Sequence, residues 1–232
     1  MADRSAAAPS KTFGSVETDN LYTPSRVPDV LVWSDGSKTF ADGTDGLVSE
    51  GSDSGAVIQD AIDSLTSGRT WQETVAIVGH VTGVGGVTLP SHTHVSVGGT
   101  IRLASDGSRI FGWDGGDNIT NVTISGGTLD GNASNASGGA ISAGGSTGEH
   151  TNVRLNNLTV RNSENTGISI SGVKNLIFNS VQVHNCGAGG KQHNIYLRRV
   201  REPRGTIVTR DSGGDGAKIT GTNDGHIWIT AA

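Results

Sequence analysis

Between residues 121 and 185 the chain writes one unit three times: an asparagine, a short run alternating apolar and polar residues, a break, and a second such run ending near another asparagine. Asn121-Val122-Thr123-Ile124 leads to Gly127-Thr128-Leu129-Asp130-Gly131-Asn132. Asn152-Val153-Arg154-Leu155 leads to Leu158-Thr159-Val160-Arg161-Asn162, and Asn175-Leu176-Ile177-Phe178 leads to Val181-Gln182-Val183-His184-Asn185. Gly205-Thr206-Ile207-Val208-Thr209 reads as a fourth, degenerate copy, and aligning Leu129, Val160, Val183 and Val208 gives steps of 31, 23 and 25. Each copy is trailed by another strand: Ala140-Ile141, Gly167-Ile168-Ser169-Ile170, Asn194-Ile195-Tyr196-Leu197 and Ala217-Lys218-Ile219. Two or three strands at such a step make one solenoid coil, whose inward residues are buried only by the coils stacked beside it.

Period-two alternation assigns Val122 and Ile124, Leu158 and Val160, Val181 and Val183, and Ile168 and Ile170 to the inside. Asparagine suits the corners because it tolerates left-handed backbone angles and bonds its own turn. The 36 glycines, set against 5 prolines and without a three-residue period, serve many turns and exclude collagen. An antiparallel sandwich remains the alternative; it would place turns every roughly 8 to 12 residues without self-similarity.

The flanks divide differently. Residues 1–29 carry Pro9, Pro24 and Pro28 and no apolar period, which predicts an extended arm that orders against a partner. Residues 30–50 read as a β-hairpin lead-in, Val30-Leu31-Val32-Trp33 and Lys38-Thr39-Phe40-Ala41 around an Asp35-Gly36 turn. Across 51–68, Ala56, Val57, Ile58, Ala61, Ile62 and Leu65 fall at helical spacing behind Asp53, which predicts a helix capping the first coil of a solenoid over 69–232. His226-Ile227-Trp228-Ile229-Thr230 ends the series without a polar cap, so a homo-oligomer, a trimer, is expected to cover it.

The formal charge of -5 argues against a partner held through nucleic-acid phosphates. Arg198, Arg199, Arg201 and Arg204 read as solvated turn residues. The start MADRSAAAPSKTFGS lacks the order of a secretory signal, and no apolar run suggests a membrane span. Cys186 is alone, which excludes an intramolecular disulfide. Sixteen Asp against 6 Glu, and 12 Arg against 5 Lys, suit a halophilic source.

The helix Ala56 to Leu65, Gly85-Gly86-Val87-Thr88-Leu89-Pro90 and the Asn-Val-Thr-Ile to Leu-Asp-Gly-Asn series resemble the pectate-lyase-like right-handed parallel β-helix superfamily. Val30-Leu31-Val32-Trp33-Ser34-Asp35-Gly36 and Ala41-Asp42-Gly43-Thr44-Asp45-Gly46 look like the lead-in of its viral tail-spike and haloarchaeal virus branch. The resemblance spans about residues 29 to 210. It implies an all-β solenoid with a capping helix, in a virion structural protein: a spike, fibre or capsid decoration on the particle surface. The arm would dock to other virion proteins and the solenoid would face host glycans. A polysaccharide lyase or glycoside hydrolase is the alternative, since one solenoid carries many activities.

An enzyme of that kind needs carboxylates converging from neighbouring coils. Asp130, Asp211 and Asp215, with His226, are the residues available, although the hydrolase pattern of Asn-x-Asp, paired Asp-Asp and Gly-His-Gly is missing. For sugar binding the candidates are Trp113 beside Asp114, Tyr196, and Trp228 near His226, where a flat ring stacks on a sugar and polar groups take its hydroxyls. No cofactor is implied. His92 and His94, two apart, would share a strand face and could grip a structural metal ion given a third ligand. His184, His193 and His226 could stack on successive coils.

Overall fold

The computed structural model describes residues 27–113, 118–144, 150–188, 192–221 and 224–231. The predicted arm lies outside these residues except for Val27, Pro28 and Asp29. The chain begins with Val30–Ser34 (β1), Thr39–Gly43 (β2) and Gly46–Gly51 (β3), then the helix Ser54–Asp63 (α1). Glu73–Val84 (β4), Val87–Thr88 (β5), Thr93–Leu103 (β6), Arg109–Gly112 (β7), Thr120–Ser125 (β8), Thr128–Asp130 (β9) and Gly139–Ala143 (β10) follow. The remaining strands are His150–Asn156 (β11), Thr159–Arg161 (β12), Ile168–Ser171 (β13), Val173–His184 (β14), Ile195–Arg198 (β15), Arg204–Arg210 (β16), Ala217–Thr220 (β17) and His226–Ala231 (β18).

From β4 onward the chain alternates between two parallel stacks. The larger runs β4, β6, β8, β11, β14, β16, β18 with β9 and β12 alongside, and the smaller runs β5, β7, β10, β13, β15, β17. Each crossing returns the chain beside the strand it left one circuit earlier, a mostly β arrangement compatible with a parallel β-helix. β1 joins this order by pairing parallel with β4 and antiparallel with β2, which extends the first stack into the hairpin.

Inward side chains form rows across the coils. Val30, Val75, Val95, Ile124, Leu155 and Phe178 are successive in-register partners, all buried. Val87, Phe111, Ile141, Ile168 and Ile195 do the same in the smaller stack. The predicted inward residues Val122, Ile124, Leu158, Val160, Val181, Val183, Ile168 and Ile170 are all buried. One alignment needs correction: Thr209, not Val208, is the partner of Val183. A register shift between Phe178 and Val181 slips β16 by one residue, and because strand faces alternate, that slip turns Val208 outward and leaves Thr209 at 2% exposure.

The helix α1 is shorter than the stretch 51–68 read from the sequence. Asp53 caps it, its carboxylate accepting from Ala56 N at 3.1 Å, and Val57, Ile58, Ala61 and Ile62 face the first coil. Gly55 lets the helix come close, since a Cβ there would lie 2.9 Å from Gly85 O.

Corners are set by left-handed residues. His92, Asn121, Asn152, Asn175, Glu202 and Asp224 occupy one corner on successive coils, with φ between 49° and 60°. Asn175 Nδ2 donates to Asn152 Oδ1 at 2.6 Å, so neighbouring corners bond through their side chains. Asn162, Asn185 and Asp211 repeat the device at a second corner, where Asn185 Nδ2 donates to Asn162 Oδ1 at 2.7 Å. Asn175→Ala is therefore expected to destabilise the fold by about 1–2 kcal/mol, from a strained φ and a lost amide bond. Asn175→Gly, which keeps the backbone, should cost less. Urea denaturation of both variants checks this, and an alanine no worse than the glycine would contradict it.

Candidate functional site

The four residues available for catalysis do not form one site. Asp130, at the end of β9, accepts from Asn132 N at 3.0 Å, Arg161 Nε at 3.1 Å and Asn162 Nδ2 at 3.1 Å, so its carboxylate is committed to holding a corner. It stands in one outward row with Arg161, His184 and Arg210, which places Arg210 three coils away, about 14 Å at the usual spacing of parallel strands. Asp211 is the next residue, in a left-handed corner with φ 47°. Asp215 lies at the far side of the exposed turn, where its N–H donates to His193 Nδ1 at 3.2 Å and its carboxylate lies 3.6 Å from the same ring. His226 opens β18 beside Arg204 on the larger stack. Acid pairs that cleave glycosides stand roughly 5 to 9.5 Å apart on either side of the bond, and Asp130 has no such partner among these residues.

The aromatic candidates separate by burial. Trp113 is 1% exposed and packs edge-on against His150, with ring centroids 5.9 Å apart, so its face is unavailable to a sugar. That corrects the expectation for Trp113: it points into the coil, while Asp114 lies outside the described residues. Tyr196 is half-buried, with Lys218 Nζ 5.9 Å from its ring centroid and the His193 ring tilted at 6.1 Å. Trp228 is 73% exposed.

The histidine expectations also change. His92 sits at a left-handed corner before β6, where strand alternation does not apply, and its Nδ1 lies 3.2 Å from Asn121 Nδ2. Both nitrogens of His94 are engaged, Nδ1 with Thr74 Oγ1 at 3.2 Å and Nε2 with Ser125 Oγ at 2.7 Å. Among the described residues no group of three His, Cys, Asp or Glu could hold a metal ion. His184, His193 and His226 do not stack: His184 pairs with Arg161 and Arg210, His226 pairs with Arg204, and His193 precedes β15.

What the larger stack does bring together is an outward flank on its C-terminal coils. Arg154, Ile177, Arg204 and His226 are in-register neighbours in one row. Trp228 stands two residues after His226 on the same side of β18, in register with Thr206, while Ile227 and Ile229 alternate to the other face. Arg161, His184 and Arg210 form a second outward row, parted from the first by the positive-φ residues Asn157, Ser180 and Gly205. The flank therefore offers guanidinium groups, hydroxyls and one bare indole.

Comparisons place this architecture among known folds. No family model matches the chain, and no curated relative does. Solved structures share its fold, two of them with TM-scores above 0.5. A candidate glycosyl hydrolase from Parabacteroides merdae aligns with a TM-score of 0.56 at 15% identity, over 74% of this chain and 87% of that one. The Geobacillus virus E2 ORF18 protein aligns at 0.55 and 18% identity, again over 74% of this chain but only 38% of its own length. Among the described residues no helix is long and apolar enough to cross a membrane.

Of the flank's arginines only Arg204 is singled out by sequence reasoning, as a solvated turn residue, whereas it opens β16. A signal existed. Residues 29–73 hold nine acids against two bases and residues 150–210 hold nine bases against two acids, a separation that the net charge of -5 averages away.

Burial holds the His94 imidazole below the usual histidine value of 6.5. The unfolded chain therefore takes up the proton first, so the stabilising share of neutral His94 is complete above about pH 6.5 and is lost as pH falls through its folded value. His94→Gln is expected to flatten the decline in urea midpoint between about pH 7 and pH 5. An unchanged slope would remove His94 from that account.

Proposed function

We propose that the chain is a right-handed parallel β-helix serving as a structural part of a virion surface, a spike, fibre or capsid decoration, and that its flank contacts host glycans. The observation that carries the glycan contact is Trp228. Its side chain leaves the flank of the stack rather than its end, so another coil laid on β18 would leave the ring facing solvent. An exposed indole offers a flat apolar face on which a sugar ring can stack, with Thr206, Arg204 and His226 beside it to bond the hydroxyls.

The virion assignment draws support from the fold shared with the Geobacillus virus E2 protein, and from an architecture whose strength lies in stacking rather than in a cleft. In this reading residues 1–29 dock to other particle proteins and the chain assembles as a trimer. A polysaccharide lyase or hydrolase shares the same fold, as the Parabacteroides merdae protein illustrates, but Asp130, Asp211, Asp215 and His226 do not offer it a common groove.

Trp228→Ala is expected to weaken binding to a responsive oligosaccharide by about ten-fold or more, with the far-ultraviolet circular dichroism spectrum unchanged. Titration of intrinsic fluorescence against a panel of surface glycans gives the measurement. A panel in which no glycan binds, or in which the variant binds like the parent, would remove the glycan contact. Light scattering showing one chain mass at all concentrations would remove the trimer.

A further inference from the structure

We infer that Leu21-Tyr22-Thr23-Pro24-Ser25-Arg26 folds back onto the cap of its own chain and occupies a cavity there. The cavity measures about 410 Å³ and lies where the β2–β3 turn, the end of α1 and the start of β4 meet. That volume falls in the range of small-ligand pockets, roughly 300 to 1,000 Å³, and admits a few side chains. Its lining combines apolar and acidic groups. Val30 and Leu65 are buried in the wall, whereas Leu47 and Val48 are left 58% and 38% exposed. Asp29, Asp45 and Glu73 supply carboxylates. Two of these are held in place, Asp29 Oδ2 accepting from Thr74 N at 2.7 Å and Glu73 Oε2 from Thr66 N at 2.7 Å. Arg69, 3.9 Å from Glu73, offsets one charge, but Asp29 and Asp45 make no ion pair among the described residues. The end of α1 adds the negative pole of its dipole, and no basic residue stands in its last turn.

Such a lining calls for an occupant with apolar surface and a positive charge, and the chain carries one next to it. Residues 21–26 hold two large side chains with apolar surface, Leu21 and Tyr22, one base, Arg26, and no acid. Residues 1–20 by contrast contain Asp3, Glu17 and Asp19. The segment also ends in the right place. Asp29 N donates to Thr74 O at 3.0 Å, so the chain is aligned beside β4 at the cavity wall, and Arg26 stands three residues earlier. Six extended residues reach roughly 20 Å. A segment tethered this closely competes at an effective concentration on the order of millimolar, which favours it over a separate partner. Docked in this way, the Arg26 guanidinium meets carboxylates that its fork fits, and Leu21 and Tyr22 cover Leu47 and Val48. Residues 1–20 are left for the docking to particle proteins proposed above.

Hydrogen–deuterium exchange of the full chain, read by mass spectrometry, tests the docking. Amides within 21–26 and within 43–48 are expected to exchange about ten-fold or more slowly in the parent than in a variant carrying both Tyr22→Asp and Arg26→Glu. Both substitutions lie outside the solenoid, and β8 and β11 give the reference for intact folding in the same spectra. Lys11→Glu, earlier in the arm, should leave the protection of both stretches as in the parent. Residues 21–26 exchanging as fast in the parent as in the double variant would overturn the inference. So would protection that grows with protein concentration, which would put the segment of a second copy in the cavity. Protection of 43–48 that persists in the double variant would assign the cavity to another occupant and overturn it as well.

Discussion

Everything in this protein depends on neighbouring coils keeping parallel register. A single circuit of the chain cannot bury its own inward residues, so Ile124 is dry only because Val95 and Leu155 lie on either side of it. Stacking of this kind transmits position without cutting off variation. Circuits of 31 and 23 residues bring Leu129, Val160 and Val183 into line, because surplus residues leave the coil at its connections and not within the strands. Left-handed corners supply the punctuation: each one fixes where a strand must begin, and side-chain bonds such as Asn175 to Asn152 carry that decision to the next coil.

Much of this was legible from the residues. The alternation at Val122 and Ile124, or at Ile168 and Ile170, names the inside of a strand whatever it pairs with, and the recurring asparagines name the corners. What was not legible is set by relations between coils. The slip that exchanges Val208 for Thr209 comes from an irregularity in the preceding coil, more than twenty residues earlier, and no local pattern announces it. The same holds for His92, which looks like a strand residue two before His94 and is instead the first of the corner series.

The candidate site was read less well for a related reason. An aromatic residue advertises a binding platform only when its side is known. Trp113 and Trp228 look alike in the sequence, yet one is sealed into the coil and the other is bare. The acids misled in the same way, because a carboxylate such as Asp130 that bonds three donors reads in one dimension like one poised for chemistry. Register also decides which cations are neighbours, and Arg161 and Arg210 share a row although 49 positions separate them.

The sorting of charge has a physical consequence apart from any particular contact. With acids gathered at the hairpin and helix and bases in the later coils, the molecule is an elongated electric dipole whose axis follows the stack. Near a negatively charged surface such a body experiences a torque before it touches anything, and it turns its later coils inward and its cap outward. Approach is therefore oriented in advance, over a distance set by the surrounding salt, even though the net charge of -5 opposes the approach itself.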